Sequence, residues 1–159
     1  MPQTSTRLAR LEDLPILAVF EREVARANFP QAPLEDLTYH TEKLKRAFAR
    51  EPEGMVVLVD AEGGDIVAWL WLSTRKTLAT GERYGVIKSL YVRPSQRRLG
   101  LGTLLAHYAV RHFAQREIDR IVATVHSGNL AGARTLAKGG FESCHVTYER
   151  SGVAGEEPL

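Results

Sequence analysis

The stretch SLYVRPSQRRLGLGTLL, residues 89–105, decides the reading of this 159-residue chain. An apolar run with strand character ends at Pro94, which can continue neither the strand nor its hydrogen bonding. Arg97 and Arg98 then bring positive charge, Gly100 and Gly102 remove side chains, and Leu101, Leu104 and Leu105 open an apolar face of helical period. A strand that enters a helix through such a turn leaves the first N–H groups of the helix unpaired. The helix dipole places partial positive charge at the same point, so the turn suits a phosphate. The other reading is a tight connection that needs glycine only for its backbone angles.

Charge outside the turn agrees with an anionic ligand. The net charge is only +2, but residues 1–79 hold 10 Lys and Arg against 12 Asp and Glu, whereas residues 80–159 hold 11 against 7. No acid lies between Glu82 and Glu117, a window that contains Lys88, Arg93, Arg97, Arg98, Arg111 and Arg116. Two familiar phosphate loops do not fit. The G-x-x-x-x-G-K-[ST] pattern is absent, and Leu105 stands where a dinucleotide-binding G-x-G-x-x-G would have its third glycine.

Around the turn the pattern alternates. A short strand precedes a helix opened by Glu12 and Asp13, with Pro15 in its first turn. NFPQAP, residues 28–33, breaks that helix, and a second follows from Leu34 to Arg50. Residues 54–74 read as a hairpin about Glu62–Asp65, with Trp69 and Trp71 on one face of its second strand. RYGVIKSLYV, residues 83–92, is a fourth strand. A helix from about Gly102 to Gln115, a strand at DRIVATVHS, a helix at NLAGARTLAKGG and a last strand at FESCHVTYERS complete a mixed α/β order.

The single cysteine, Cys144, permits no internal disulfide, and no His, Cys or carboxylate spacing supports a metal site. No leader-like apolar segment and no run of about 18 apolar residues is present, so a cytoplasmic protein off the membrane is expected.

The turn resembles the acyl-CoA-binding motif of the GCN5-related N-acetyltransferase (GNAT) family, with Val92, Pro94, Arg97, Gly100 and Gly102 in the places of V-x-P and [RQ]-x-x-G-x-[GA]. A second segment follows in the family's order: a strand at Ile121–Val125, then Asn129, a short helix and Gly140-Phe141. The resemblance spans roughly residues 5–150. It implies one acetyltransferase domain over residues 1–150, with a disordered tail at 151–159. The implied fold is α/β, the GNAT acyl-CoA N-acyltransferase fold, with a mixed central sheet of six to seven strands flanked by about four helices.

The same resemblance implies acetyl-CoA as co-substrate. The fourth and fifth strands would part, and the pantetheine arm would lie between them. Main-chain groups along Leu90, Tyr91 and Val92 would hold that arm and polarise the thioester carbonyl. The backbone from Arg97 through Arg98, Leu99, Gly100, Leu101 and Gly102 to Thr103 would hold the pyrophosphate. Asn129 would touch the pantetheine arm, and Arg134 would reach the phosphate end or serve as a plain surface arginine.

Two expected proton carriers are missing. Where many members have a tyrosine four residues before the Gly-Phe pair, this chain has Leu136, and where many have a glutamate on the fourth strand it has Lys88. Lys88, Ser127, His126 and Tyr148 remain as catalytic candidates, none with a role carried over from the family, and each also fits a structural place. A thiol pKa near ~8.5 makes the leaving thiolate undemanding, whereas neutralising a lysine-like amine at pH 7 costs roughly 4.6 kcal/mol and an α-amine about 1.4 kcal/mol. A low-pKa amine is therefore the easier acceptor, and Lys88 disfavours a strongly cationic one. Phe29, in the loop between the first two helices, would border the acceptor.

The partners expected are an acyl-CoA donor and an amine acceptor, with no nucleic acid, because the chain lacks an overall basic excess. A homodimer is expected if the early end of the sheet leaves a strand edge open. The rival reading is a non-catalytic acyl-CoA-binding module.

Overall fold

The computed structural model describes residues 3–150, so the tail expected at 151–159 lies outside the described residues. The elements run β1 (Thr4–Leu8), α1 (Leu14–Asn28), α2 (Leu37–Arg50), β2 (Met55–Asp60), β3 (Ile66–Lys76), β4 (Arg83–Val92), α3 (Leu101–Ala114), β5 (Ile121–Ala123) and α4 (Leu130–Lys138). The five strands form one sheet in the order β1-β2-β3-β4-β5. The first three pairings are antiparallel, and β4 pairs with β5 in parallel.

Strand alternation divides the core into two layers. Met55, Val57, Trp69 and Trp71 point to one face, where Leu14, Leu17, Ala18 and Phe20 of α1 and Leu44 of α2 cover them. Val56, Leu58, Leu70, Leu72 and Ile87 point to the other, beneath Leu101, Leu105, Ala109 and Phe113 of α3. Both faces of β2 and β3 are therefore buried, which is why these strands read as nearly continuous apolar runs. At Gly85 the α3 side comes so close that a Cβ would stand 2.6 Å from the Phe113 ring.

Among the described residues the sheet has five strands where six to seven are expected, and the four α-helices agree with the expected number. DRIVATVHS contributes only Ile121–Ala123 to the sheet, and FESCHVTYERS forms no strand over its described part, residues 141–150. The cause is the shortness of β5. Its inner edge is matched to Gly85–Ile87, and its outer edge offers a further strand no more than three residues to pair with. Val146 and Tyr148 are accordingly 73% and 92% exposed. Period-two alternation indicates a strand only where there is a surface for one side to cover.

The entry to α1 is held by a carboxylate. Asp13 is buried, accepts from Arg7 Nη1 at 2.7 Å and Nη2 at 3.2 Å, and accepts from the Arg10 N–H at 2.7 Å. Burial alone would raise its pKa, but the hydrogen bonds from Arg7 and the Arg10 backbone outweigh it and hold the carboxyl below its ordinary value of 3.8. A depressed carboxyl stabilises the fold fully above its unfolded-state pKa and loses that contribution as pH falls through the folded-state value. Asp13→Asn is expected to cost about 1–3 kcal/mol in urea unfolding at pH 7. The difference between wild type and variant should shrink below pH 3.8. An equal loss at pH 7 and in strong acid would show that charge is not the cause.

Candidate functional site

The parting of β4 from β5 begins with one inserted residue. Between β3 and β4 the pairs Leu72↔Ile87 and Trp71↔Ser89 leave Lys88 without an opposite number, so β4 carries a β-bulge there. Ile87 and Leu90, three residues apart, consequently both pack into the α3 layer. The peptide groups change sides as well. Before the bulge the Gly85 N–H donates to the Arg120 carbonyl, on the β5 side, at 2.8 Å. After it the Arg93 N–H donates to the Val67 carbonyl, on the β3 side, at 2.9 Å. Backbone groups of alternate residues point to opposite edges, so those of Tyr91 face β3 and those of Leu90 and Val92 face the opposite edge.

That edge is open. The β4–β5 ladder ends at Ile87↔Ala123, whereas β4 continues to Val92. Residues 124–129 follow no strand path. Leu90 and Val92 thus present main-chain groups to a gap, and the Val92 carbonyl accepts from Arg97 Nε at 3.0 Å.

Beyond the gap lies the start of α3. Gly100 takes φ 78°, the left-handed conformation, with nothing within 4 Å of where a Cβ would stand. Arg98 takes φ 65°, a strained value for a residue with a side chain. Among the described residues, none of the N–H groups of Arg98, Leu99, Gly100, Leu101, Gly102 and Thr103 donates to the protein; the first inward bond is from Leu104 to Gly100, at 3.0 Å. These free donors, at the positive end of a 14-residue helix, form a site for an anion. Gly102 serves packing too, because a Cβ there would stand 2.9 Å from Thr135 Cγ2 on α4.

The side chains anticipated for this site are placed unevenly. Arg98 and Leu99 are exposed at the turn, and Thr103 is half-buried on the first turn of α3. The Arg97 guanidinium is turned back over Tyr91, 5.7 Å from the ring centroid, instead of standing over the free N–H groups. Arg134 is exposed on α4. Asn129 caps α4, accepting from the Gly132 N–H at 3.0 Å. Ser127 and His126 are exposed on the β5–α4 loop, where His126 Nδ1 accepts from the Gly128 N–H at 2.9 Å. Tyr148 stands 92% exposed in the irregular segment. Burial, with Glu23 adding to it, pushes the Tyr91 phenol up and makes it a poor proton source at neutral pH. Leu136 packs against the α3 layer, and Phe29 is exposed at the end of α1.

Asn28, the last residue of α1, is a contact the sequence did not reveal. Its Oδ1 accepts from the His126 N–H at 3.0 Å and from Asn129 Nδ2 at 3.2 Å, which ties α1 to the loop at the far edge of the gap. The partners lie 98 and 101 residues away, beyond the reach of any local pattern. The Lys88 side chain lies over Trp71, on the α1–α2 side of the sheet, opposite α3. A cavity of about 380 Å³ lies elsewhere, beside Leu8, Tyr108, His112 and Arg116, and shares no residue with the turn. Among the described residues no cluster of three or more His, Cys, Asp or Glu could hold a metal ion, and no helix is long and apolar enough to cross a membrane.

The model of the acetyltransferase (GNAT) family matches residues 19–141. A predicted acetyltransferase from Clostridium acetobutylicum with acetyl-CoA is similar in structure, with TM-score 0.74 and 18% identity over 94% of this chain and 96% of that one. A GCN5-related N-acetyltransferase from Ralstonia eutropha JMP134 gives TM-score 0.71 and 21% identity over 96% and 100%. The aminoglycoside antibiotic 6'-N-acetyltransferase of Acinetobacter haemolyticus gives 0.67 and 18% over 94% and 99%. At these identities the likeness is one of fold. No curated protein matches the chain.

Asn28→Ala removes the acceptor shared by His126 and Asn129. Amide exchange over residues 126–129 should quicken by about tenfold, while Asn28→Asp, which keeps an acceptor oxygen, should stay near wild type. Equal exchange in all three proteins would show that the tie does not hold the loop.

Proposed function

Given that this chain belongs to the acetyltransferase (GNAT) family, we propose that it transfers the acetyl group of acetyl-CoA to a primary amine by direct attack in a ternary complex. The observation that carries the reading is the presence at one gap of two sets of main-chain groups left outside the sheet and helix ladders, the Val92 carbonyl being held there by Arg97 Nε. The free N–H groups of Arg98 to Thr103 suit the pyrophosphate, and the peptide groups of Leu90 and Val92 line a gap wide enough to have ended the β4–β5 ladder. A pantetheine arm laid along β4 would bond to that edge as an added strand does.

In this reading the protein contributes position and polarity. The donor is held at two points, the turn and the β4 edge, and main-chain dipoles at Leu90 and Val92 polarise the thioester carbonyl at no cost in reorganisation. The neutral amine attacks the carbonyl carbon, the C–S bond breaks, and the proton lost by the nitrogen passes through solvent to the leaving thiolate, which needs no strong acid and departs as the free thiol. Asn129, committed to the α4 cap and to Asn28, would act on the pantetheine arm by shaping the loop. Arg97 and Arg98 would add positive charge near the phosphates, Arg98 from an unpaired position.

The reading is tested by titrating acetyl-CoA and then measuring thiol release with a panel of amines, amino acids and peptides. Gly100→Val forces a branched side chain into the left-handed conformation at a cost of roughly 1–2 kcal/mol and sets it beside the free N–H groups. It is expected to weaken acetyl-CoA binding by about tenfold or more. Binding without thiol release from any acceptor would favour the non-catalytic acyl-CoA module instead. Absence of binding would remove the donor altogether.

A further inference from the structure

The bulge turns a cation without an ion-pair partner among the described residues onto the face of the sheet away from α3, over Trp71 of β3 and two residues before Leu90. Lys88 Nζ lies 4.3 Å from the centroid of the Trp71 ring, and Lys43 Nζ, from α2, lies 5.4 Å from the same centroid. Two ammonium groups therefore share one indole. Lys43 is balanced, since it donates to Glu21 Oε1 at 3.0 Å. Glu21 is 3% exposed, and its second oxygen accepts from Trp69 Nε1 at 3.1 Å, so both oxygens already have a partner other than Lys88. Lys88 has only the aromatic face. The charged groups whose fields reach it are Arg75, Lys43, Arg50 and Glu21, three cations against one carboxylate already taken. Among the described residues neither Arg75 nor Arg50 has an ion-pair partner.

We propose that the amine acceptor carries a carboxylate and that Lys88, supported by Arg75 and Lys43 around Trp71, receives it. This rests on the acetyl-transfer reading above. With the donor entering from the α3 side, the acceptor must approach the thioester from the α1–α2 side, which is the side Lys88 occupies. A second cation brought there would meet uncompensated positive charge, and a carboxylate would relieve it. The same surroundings already act on the lysine itself: desolvation pushes its ammonium pKa down, with repulsion from Arg75, Lys43 and Arg50 adding to the fall and Glu21 opposing it. The negative face of the Trp71 ring partly offsets that desolvation and holds the ammonium in place.

The test pairs each acceptor with its uncharged counterpart. Acetyl transfer to a set of amino acids is compared with transfer to their carboxamides, and binding of N-acetylalanine is compared with binding of N-acetylalaninamide to the CoA-loaded protein. The second comparison needs no turnover. The carboxylate member of each pair should be preferred by about tenfold or more. Lys88→Gln should abolish the preference, Lys88→Arg should keep it, and Lys88→Glu should reverse it. Lys45→Gln, at a surface lysine of α2 paired with Glu42, should leave it as in wild type. Transfer with no carboxylate preference, or a preference untouched by Lys88→Gln, would overturn this inference and leave acetyl transfer standing. Failure to bind acetyl-CoA, or binding without transfer to any acceptor, would overturn the reading beneath it.

Discussion

The inserted residue at Lys88 is the constraint from which the rest of the site follows. A regular strand through this position would keep the peptide groups of residues 89, 91 and 93 on the β5 edge, in step with Gly85. The bulge shifts them by one, so that Arg93 bonds to β3 and Leu90 and Val92 turn to the open edge. One extra residue thus turns part of what would be a paired ladder into main-chain groups facing an open edge, where the Val92 carbonyl is met by Arg97 Nε. It also delivers a lysine to the opposite layer of the sheet, onto Trp71. Leaving main-chain groups unpaired is costly in a buried strand, and the cost is tolerable here because the gap is open.

The two layers of the core keep two chemistries apart. On the α3 side close packing dominates: Gly85 yields room to Phe113, Gly102 yields room to Thr135, and α3 is fixed with its free N–H groups beside the gap. On the α1–α2 side polar groups enter the layer. Glu21 on the buried face of α1 links Lys43 and Trp69, and Lys43 Nζ lies 3.3 Å from His40 Nδ1, whose other ring nitrogen is 2.8 Å from the Leu34 carbonyl. This chain of contacts stiffens the seam between α1 and α2 and fixes the charge balance that Lys88 experiences. Asn28 then joins the same helix to the β5–α4 loop. The loop at the far edge of the gap and the α1–α2 layer are therefore connected mechanically by α1 as well as by the sheet.

Much of the architecture was legible because it is local. The hairpin at β2–β3, the Pro15 start of α1 and the glycine turn each depend on residues within a few positions of one another. The spacing of Pro94, Arg97, Gly100 and Gly102, with the second segment ending at Gly140-Phe141, pointed to the family that matches residues 19–141. The sixth strand was misread for a physical reason. FESCHVTYER alternates as a strand does, but alternation reports a surface to be covered, and β5 is too short to supply one.

By itself, then, the sequence determined the element order as far as α4, the turn that strips the backbone bare and the absence of the tyrosine and the glutamate looked for at positions 136 and 88. These are properties of residue type and of spacing along the chain. Tertiary structure alone decided which peptide groups face the gap, that Arg97 folds back over Tyr91, that Asn28 holds a loop 98 residues away and that Lys88 shares Trp71 with Lys43. Each of these depends on the register between β3 and β4 or on a contact between distant segments. Such a contact forms only when two layers of side chains close over the same sheet, and no periodicity within either segment records it.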